Sequence, residues 1–412
     1  MDDHIFFHIW KEFLLQFNQK RVLTAELIRD NGGQQSSGGR IWYPGDLQPN
    51  GSQAEFDDDH VFPLVDLSSD SPRSEEDQKY TYNFEDIDRI SRILGIPWEP
   101  SKDIPFSPSV TYLGFTWDLD NRTVTLSDSK RTKYIQAIDD WRSSRTHPLA
   151  DVQKLYGKLL HASHVIPAGR AYLTSLEAML AIFGDTPFKP RTPPHRSLND
   201  LLWWHQILNA PPHPLPIPGP TPILNFNAFS DASSGFRIGI TLGDRWKAWK
   251  LRPDWKSDNH DIGWAESIGF ELLVLHILSD GASDLHFQVF GDNRGVVEGW
   301  WNGRSRNGPT NDTFKRIHSA LEAANCVIHT RYIPSSINPA DGPSRGIYPP
   351  IHLMLPDLPI PHALCPFIDN ITVAHIPPHP ASPTPIQKLL PLHPSCSPHR
   401  ETKRQRLSPP NC

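Results

Sequence analysis

The sequence predicts an α/β fold whose best-defined part, residues 223–346, is a mixed sheet of three antiparallel strands plus parallel strands with flanking helices. Three observations predict it. Ile223 to Leu251 reads as three strands separated by turn residues at Ser233-Ser-Gly235 and Gly243-Asp244, an antiparallel meander. Helices then alternate with strands: helix Trp264 to Leu278, strand Phe287 to Phe290, helices Arg294 to Trp301 and Thr310 to Ala324, and strand Val327 to Ile333. Proline marks the limits of this block, with a proline-rich stretch over residues 187–222 and 16 prolines among residues 349–412.

Residues 1–100 alternate short apolar stretches with polar, glycine-rich ones such as Asn31-Gly-Gly-Gln-Gln-Ser-Ser-Gly-Gly39, and are expected to be irregular. Within them, Ile41-Trp-Tyr43 and the turn Pro49-Asn50-Gly51 predict a small hairpin, and Phe84 to Leu94 a short helix. Residues 101–186 form the next region. Val110 to Leu126 reads as two strands around Asp118-Leu-Asp-Asn121, and Ser127 as the N-cap of an amphipathic helix. Tyr134, Ile135, Ile138 and Trp141 fall on one face of that helix, and Lys130, Arg131 and Lys133 on the other. Further helices are expected over Val152 to His164 and Ala171 to Phe183. Residues 187–222 are expected to be a linker, extended in polyproline fashion after Asn209, and residues 347–412 a disordered tail.

A chain of 412 residues suits two or three domains with at least one real core. Its net charge of −6 excludes a global attraction to polyanions, so any nucleic-acid binding must come from local basic patches. Cys326, Cys365, Cys396 and Cys412 lack paired spacing, which disfavours a zinc site and a disulfide framework and fits an intracellular compartment, nucleus or cytoplasm. The run Ile5 to Leu15 is broken by His8, Lys11 and Glu12, unlike a signal peptide. No stretch reads as long enough to span a bilayer, so no membrane partner is expected.

Four carboxylates carry the chemistry. Asp231 closes the run that starts at Ile223, and Asp292 closes Phe287-Gln-Val-Phe-Gly-Asp292. Both sit where strands meet loops, the place at which α/β sheets gather ligands. Glu266 stands at the start of the long apolar helix, and Asp341 follows the last strand in Asn338-Pro-Ala-Asp341-Gly-Pro-Ser-Arg345. Glu271, on the same helix as Glu266, is the alternative; Glu266 is preferred because the helix start can point toward the strand ends. Oxygen donors without histidine or thiolate suit Mg2+, with Mn2+ as a substitute, and two such ions can activate a water and stabilise the leaving oxygen in phosphodiester cleavage. Arg294, Arg304, Arg306, Lys315 and Arg316, interrupted by Trp300 and Trp301, read either as a groove for phosphates and bases or as a solvated loop with core tryptophans. Ser233 and Asn293 are candidates for contact with a 2′-hydroxyl.

Phe229-Ser-Asp231-Ala-Ser-Ser-Gly235, Ala265-Glu266, Phe290-Gly-Asp292-Asn293 and Asn338-Pro-Ala-Asp341 resemble the ribonuclease H domain of retroelement reverse transcriptases. Thr111-Tyr-Leu-Gly-Phe-Thr-Trp117, Thr123-Val-Thr-Leu-Ser127 and the basic amphipathic helix resemble the passage from polymerase palm into thumb and connection in the same family. The likeness is to fungal retrotransposon polyproteins, of the tyrosine-recombinase class, and spans roughly residues 1–346. It implies a ribonuclease H-like fold, a substrate that is the RNA of an RNA/DNA hybrid, and Asp231, Glu266, Asp292 and Asp341 as the ligands of two metal ions.

Met1-Asp2-Asp3-His4 resembles the second half of the family's polymerase metal motif, which implies Asp2 and Asp3 as polymerase ligands. Asp57-Asp58-Asp59 competes for that role and reads as an exposed acidic loop. The upstream aspartate and fingers are missing from the chain, so no DNA synthesis is expected unless another chain supplies them. The sequence departs from the family where a histidine is expected before the last aspartate: Pro334-Ser-Ser-Ile337 stands there, with His329 on the preceding strand. The basic-helix protrusion of some family members is not evident, which leaves Arg304 and Arg306 as the nearest substitute. Two rivals stay open: a silent nucleic-acid-binding or decayed remnant, and a DNA-acting nuclease of the same fold. His399-Arg-Glu-Thr-Lys-Arg-Gln-Arg406 reads as a nuclear import signal, a phosphate contact or a solvated basic stretch.

Overall fold

The computed structural model describes residues 5–30, 34–35, 41–47, 53–58, 63–184, 186–212, 214–217, 223–233, 235 and 237–375, with only the backbone described for 24–58 and for Pro100. Residues 1–371 form one compact unit; of the second, 372–412, the described residues 372–375 hold a short 3-10 turn, Val373–His375. Asp2, Asp3, Asp59 and the basic stretch 399–406 lie outside the described residues.

Helix α1 spans Lys11–Asp30, and β1 (Gln34–Gln35), β2 (Ile41–Leu47) and β3 (Gln53–Asp58) form a small antiparallel sheet; β2 and β3 pair as the expected hairpin requires, its turn Pro49-Asn50-Gly51 lying outside the described residues, and Asp57 and Asp58 stand at the end of β3. Helix α2, Phe84–Ile93, starts where Asn83 accepts from the Asp86 backbone N–H and the Asp86 carboxylate accepts in return from that of Asn83. The expected pair of strands over 110–126 is three: β4 (Ser109–Tyr112), β5 (Phe115–Asp118) and β6 (Thr123–Leu126). Leu113 takes a left-handed φ of 51° beside Gly114, and this turn splits the run that looks continuous in sequence. Helix α3 (Asp128–Arg142) follows Ser127, which holds the N-cap position without a side-chain cap bond.

Helices α4 (Leu149–Ala162), α5 (Thr174–Ala181) and α6 (Ser197–Asn209) complete a helical layer. The reading of residues 187–222 as linker needs correction. Leu201, Trp204 and Leu208 of α6 are buried at helical spacing in one core with Ile138, Leu155, Leu159 and Leu176. The neighbouring prolines, Pro193, Pro194, Pro211 and Pro212, lie outside the helix ends, where their missing N–H costs nothing. Past them β7, Leu215–Pro216, pairs with β6.

The second layer follows the expected β-β-β-α-β-α-α-β order with one short strand added at its start: β8 (Ile223–Leu224), then β9 (Ala228–Ser233), β10 (Arg237–Leu242), β11 (Arg245–Leu251), α7 (Ile262–Ser279), β12 (His286–Gly291), α8 (Arg294–Trp301), α9 (Gly308–Ala323) and β13 (Val327–Tyr332). The sheet runs β13-β12-β9-β10-β11, antiparallel from β9 to β11 and parallel where β12 meets β9 and β13. The break between β8 and β9 falls at Asn227, whose φ is 51°. Helix α7 packs on this sheet and buries Ile268, Leu272 and Leu273 against Ile238, Ile240, Phe287 and Val289.

Helix α7 is also, contrary to expectation, long and apolar enough to cross a bilayer, with 18 residues at a mean hydropathy of 1.3. It is a core helix, because 72% of it is buried inside the fold. The expected disorder is likewise corrected over residues 347–371, while residues 376–412 lie outside the described residues. After the short helix α10 (Asp341–Ser344), β14 (Ile368–Asn370) adds antiparallel to β11 and shields that sheet edge. Leu355, Leu364 and Ile368, spaced among the prolines, are buried in the core, and the fully buried Lys247 ammonium donates to Asp357 Oδ1 at 2.5 Å and to the Ile371 carbonyl at 3.3 Å. Proline removes backbone donors but does not prevent an extended strap from burying its apolar side chains.

Candidate functional site

Phe229 of β9 pairs with Phe290 of β12, their rings stacked at 4.8 Å. Side chains two residues apart in a strand share a face, so Asp231, within β9, and Asp292, just past the end of β12, each two residues further on, emerge side by side. Glu266 reaches them from α7. The Asp261 carboxylate caps that helix by accepting from Trp264 N at 2.8 Å, and Gly269, one turn beyond Glu266, lets the helix lie close to β9: a Cβ there would stand 3.2 Å from that of Ser230. Carboxylate oxygens of Asp231, Glu266 and Asp292 all fall within 4.8 Å of one another.

Asp231 and Glu266 are buried and Asp292 is half-buried. Burial, with the neighbouring negative charge of Asp292 and Asp341, pushes the Asp231 carboxyl up to about 6, although the Ser344 hydroxyl that donates to its Oδ2 opposes this. Burial and then the charges of Asp231 and Asp292 push Glu266 well above the usual carboxylate range, against a bond from the Ala232 N–H. The cluster therefore carries more negative charge than its surroundings balance. An all-oxygen set of this kind is suited to a hard divalent cation.

Asp341 stands beside the triad rather than in it. It opens α10, and its Oδ1 accepts from Arg345 Nε at 2.7 Å. Glu271 lies elsewhere, gripped through both oxygens by Arg316 at 2.7 and 2.6 Å. Ser233 donates to the Ser344 carbonyl at 2.8 Å, and Asn293 caps α8 by accepting from Val296 N, so both candidates for a 2′-hydroxyl contact have internal partners. His329 faces His286, with ring nitrogens 3.2 Å apart.

The basic residues divide. Arg316 is committed to Glu271, Arg304 pairs with Glu177 at 2.8 Å, and Lys315 pairs with the buried Asp200 at 2.8 Å and lies 4.5 Å from the Tyr172 ring centroid. These three fasten α9 and the loop before it to the rest of the fold through carboxylate partners that charge spacing in sequence does not reveal. Arg294, exposed, lies over the Tyr332 ring at 4.7 Å, and Arg306 is exposed. On α3, Arg131 pairs with Asp128 at 3.0 Å, Lys130 lies over Gly114 and Lys133 is exposed. Trp300 packs edge-on against Phe314 in the core, and Trp301 Nε1 donates to the Thr330 carbonyl at 3.2 Å.

Ser344, Asn338 and Arg345 are site residues that sequence reasoning did not single out. Asn338 Nδ2 donates to the Ser230 carbonyl at 3.0 Å, and with the Ser344 bond it fastens the loop of Asp341 to β9. The signal present in sequence was the Asp-x-x-Ser spacing of a single helical turn. Gly239, opposite Asp231 on β10, makes room for α10: a Cβ there would lie 2.5 Å from Ser344 N and 2.8 Å from the Ala340 carbonyl oxygen. Gly239→Ala is expected to cost about 1–3 kcal/mol through overpacking against backbone. Hydrogen exchange at residues 340–346 should accelerate in this variant, and an unchanged pattern and midpoint would show that α10 does not depend on the close approach.

No protein-family model matches this chain, and no curated protein matches it.

Proposed function

We propose that residues 223–346 form a ribonuclease H-like domain of a retroelement-derived reverse transcriptase fragment, one that hydrolyses the RNA strand of RNA/DNA hybrids with two Mg2+ ions. One observation carries the reading: carboxylates from β9, from α7 and from the residue that follows β12 converge within 4.8 Å of one another, with β9 and β12 adjacent and parallel. The sheet order β13-β12-β9-β10-β11, with three antiparallel strands followed by parallel ones, supports it as the architecture that the resemblance implies.

The donor set fits magnesium. It offers only carboxylate oxygens, and burial leaves Asp231 and Glu266 short of the positive charge that would keep both ionised near neutral pH. Asp231, Glu266 and Asp292 would hold the first ion, with Asp341 contributing toward a second. Bound magnesium supplies Lewis acidity at the phosphoryl oxygen and a water acidic enough to act as nucleophile. Asp231 is held in place by the Ser344 hydroxyl, and Glu266 by the Ala232 N–H, so that each keeps an oxygen aimed into the cluster. Glu266 orients the attacking water. The apolar wall of α7 and Phe270 behind Gly291 keeps bulk water from the inner side.

The test is cleavage of a labelled RNA/DNA hybrid by the full chain in magnesium, beside Asp231→Asn and Asp292→Asn. Metal-dependent cutting of the RNA strand, reduced by about 100-fold or more in either variant, is the expected result. A folded wild-type chain that leaves the hybrid intact in both magnesium and manganese defeats the reading. Such a result favours a silent nucleic-acid-binding protein, the second reading, which the tie of Asp341 to Arg345 supports.

A further inference from the structure

One guanidinium stands at the edge of the carboxylate cluster. Arg345 follows α10 directly, and its backbone is fixed there by N–H bonds to the Asp341 and Gly342 carbonyls, while the neighbouring Ser344 is buried and bonded to Asp231. Its side chain is nonetheless 60% exposed. Nε donates to Asp341 Oδ1 at 2.7 Å, and the two terminal amino groups have no protein partner among the described residues. Arg304, Lys315 and Arg316 are less exposed, at 34%, 17% and 29%, and each meets a partner that is itself largely or fully buried. An exposed single-bonded pair contributes little to folding and is easily exchanged. Arg345 is therefore poorly placed to be a structural tie and well placed to change partners.

The charges at the site give the exchange a direction. Without a cation, the guanidinium is the positive group nearest Asp341, and the charges of Asp231 and Asp292 also act on it. A divalent cation among the carboxylates neutralises them and repels the guanidinium. Its two terminal amino groups, exposed and without a protein partner among the described residues, are then left to meet a phosphodiester, whose two oxygens match a planar fork of donors.

We propose that Arg345 is a substrate-binding residue of this site: it rests on Asp341 in the metal-free protein and grips a nucleic-acid backbone phosphate once a divalent cation holds the carboxylates. The proposal rests on the nuclease reading above and adds to it a residue that couples metal loading to grip on the substrate. Arg294, two residues beyond Asp292 and lying over the Tyr332 ring, is a second exposed guanidinium near the acids in sequence.

The experiment measures binding of a fluorescent RNA/DNA hybrid to the full chain over a range of KCl, with Ca2+ present and in EDTA, for wild type, Arg345→Gln and Arg345→Lys; circular dichroism checks that each variant is folded. Arg345→Gln is expected to weaken binding about ten-fold in Ca2+ and to reduce the slope of log affinity against log salt by roughly one, the mark of one lost phosphate contact. In EDTA the variant should bind as wild type does. Arg345→Lys should keep the slope and lose part of the affinity. An unchanged slope and affinity in Ca2+, or an equal loss with and without cation, overturns the proposal. Cleavage by wild type separates the two ideas: a chain that cuts the hybrid while Arg345→Gln binds normally leaves the nuclease reading intact and removes this one. A wild-type chain that neither binds nor cuts removes both.

Discussion

Arg316→Ala is expected to destabilise the fold by about 3–5 kcal/mol, the usual cost of leaving a buried charge without its partner. Glu271 is 3% exposed within α7, and both of its oxygens are taken by Arg316 Nε and Nη2 from α9. Removing the guanidinium leaves a carboxylate in the core that must either ionise unpaired or take up a proton. The cost should appear as a large drop in the urea midpoint without a change in slope. The double variant Arg316→Leu with Glu271→Leu separates the pair from general damage, because replacing both charges by apolar groups is often neutral or stabilising. A single variant within about 1 kcal/mol of wild type would mean that the pair is solvated in solution and the helix packing stands without it. The same experiment bears on the assignment of Arg316 to a nucleic-acid groove, since a residue tied into the core has no fork left for phosphate.

Removing divalent cations is expected to make stability depend steeply on pH, and Glu266→Gln to relieve that dependence. Asp231 titrates at about 6 in the folded chain against 3.8 as an ordinary carboxyl, and Glu266 is displaced in the same direction. A raised carboxyl pKa means that the folded state holds its proton more tightly than the unfolded state, so stability is greatest below the ordinary pKa, falls as pH rises through the interval up to about 6, and levels off above it. The metal-free protein should therefore be more stable at pH 5 than at pH 7.5, by roughly 1–3 kcal/mol, since each ten-fold difference in proton affinity between the two states is worth about 1.4 kcal/mol. At pH 7.5, Glu266→Gln should melt above metal-free wild type, because a neutral amide removes the cost of either burying a charge or holding a proton at that position. Magnesium at about 100 times its dissociation constant should raise wild-type stability by about 2.7 kcal/mol, and do so much less for the variant. Calorimetry in EDTA and in magnesium reads all four states. Equal stability at the two pH values, together with no response to magnesium, would show that the acids are balanced without a cation.

The elements that surround the site were largely legible in sequence. The meander of β9, β10 and β11, the long helix α7 and the strands β12 and β13 each have strong local periodicity, and the structure places them within a few residues of the expected limits. Glu266 and Glu271 were harder, because both lie on one apolar segment. Their difference arises from the helix start capped by Asp261, which turns Glu266 to the strand ends and Glu271 toward α9. The proline-rich stretches misled for the opposite reason. Composition dominated their reading, yet Trp204 and Leu208 in α6, and Leu355 and Ile368 near β14, are core residues whose partners are remote in sequence.

Taken by itself, the sequence determined which segments are strands and helices around the acids and that Asp231 and Asp292 follow apolar runs, because period-2 and helical patterns are local properties; that β9 continues past Asp231 to Ser233 was not legible there. Only the tertiary structure decided that β12 inserts beside β9, which brings those two aspartates and Glu266 within 4.8 Å, and that Asp341 turns aside to Arg345. It likewise decided that Arg304, Lys315 and Arg316 face internal carboxylates while Arg345 stays exposed. Long-range pairing depends on which surfaces bury each other, and a charge acquires its role from the partner that burial brings to it.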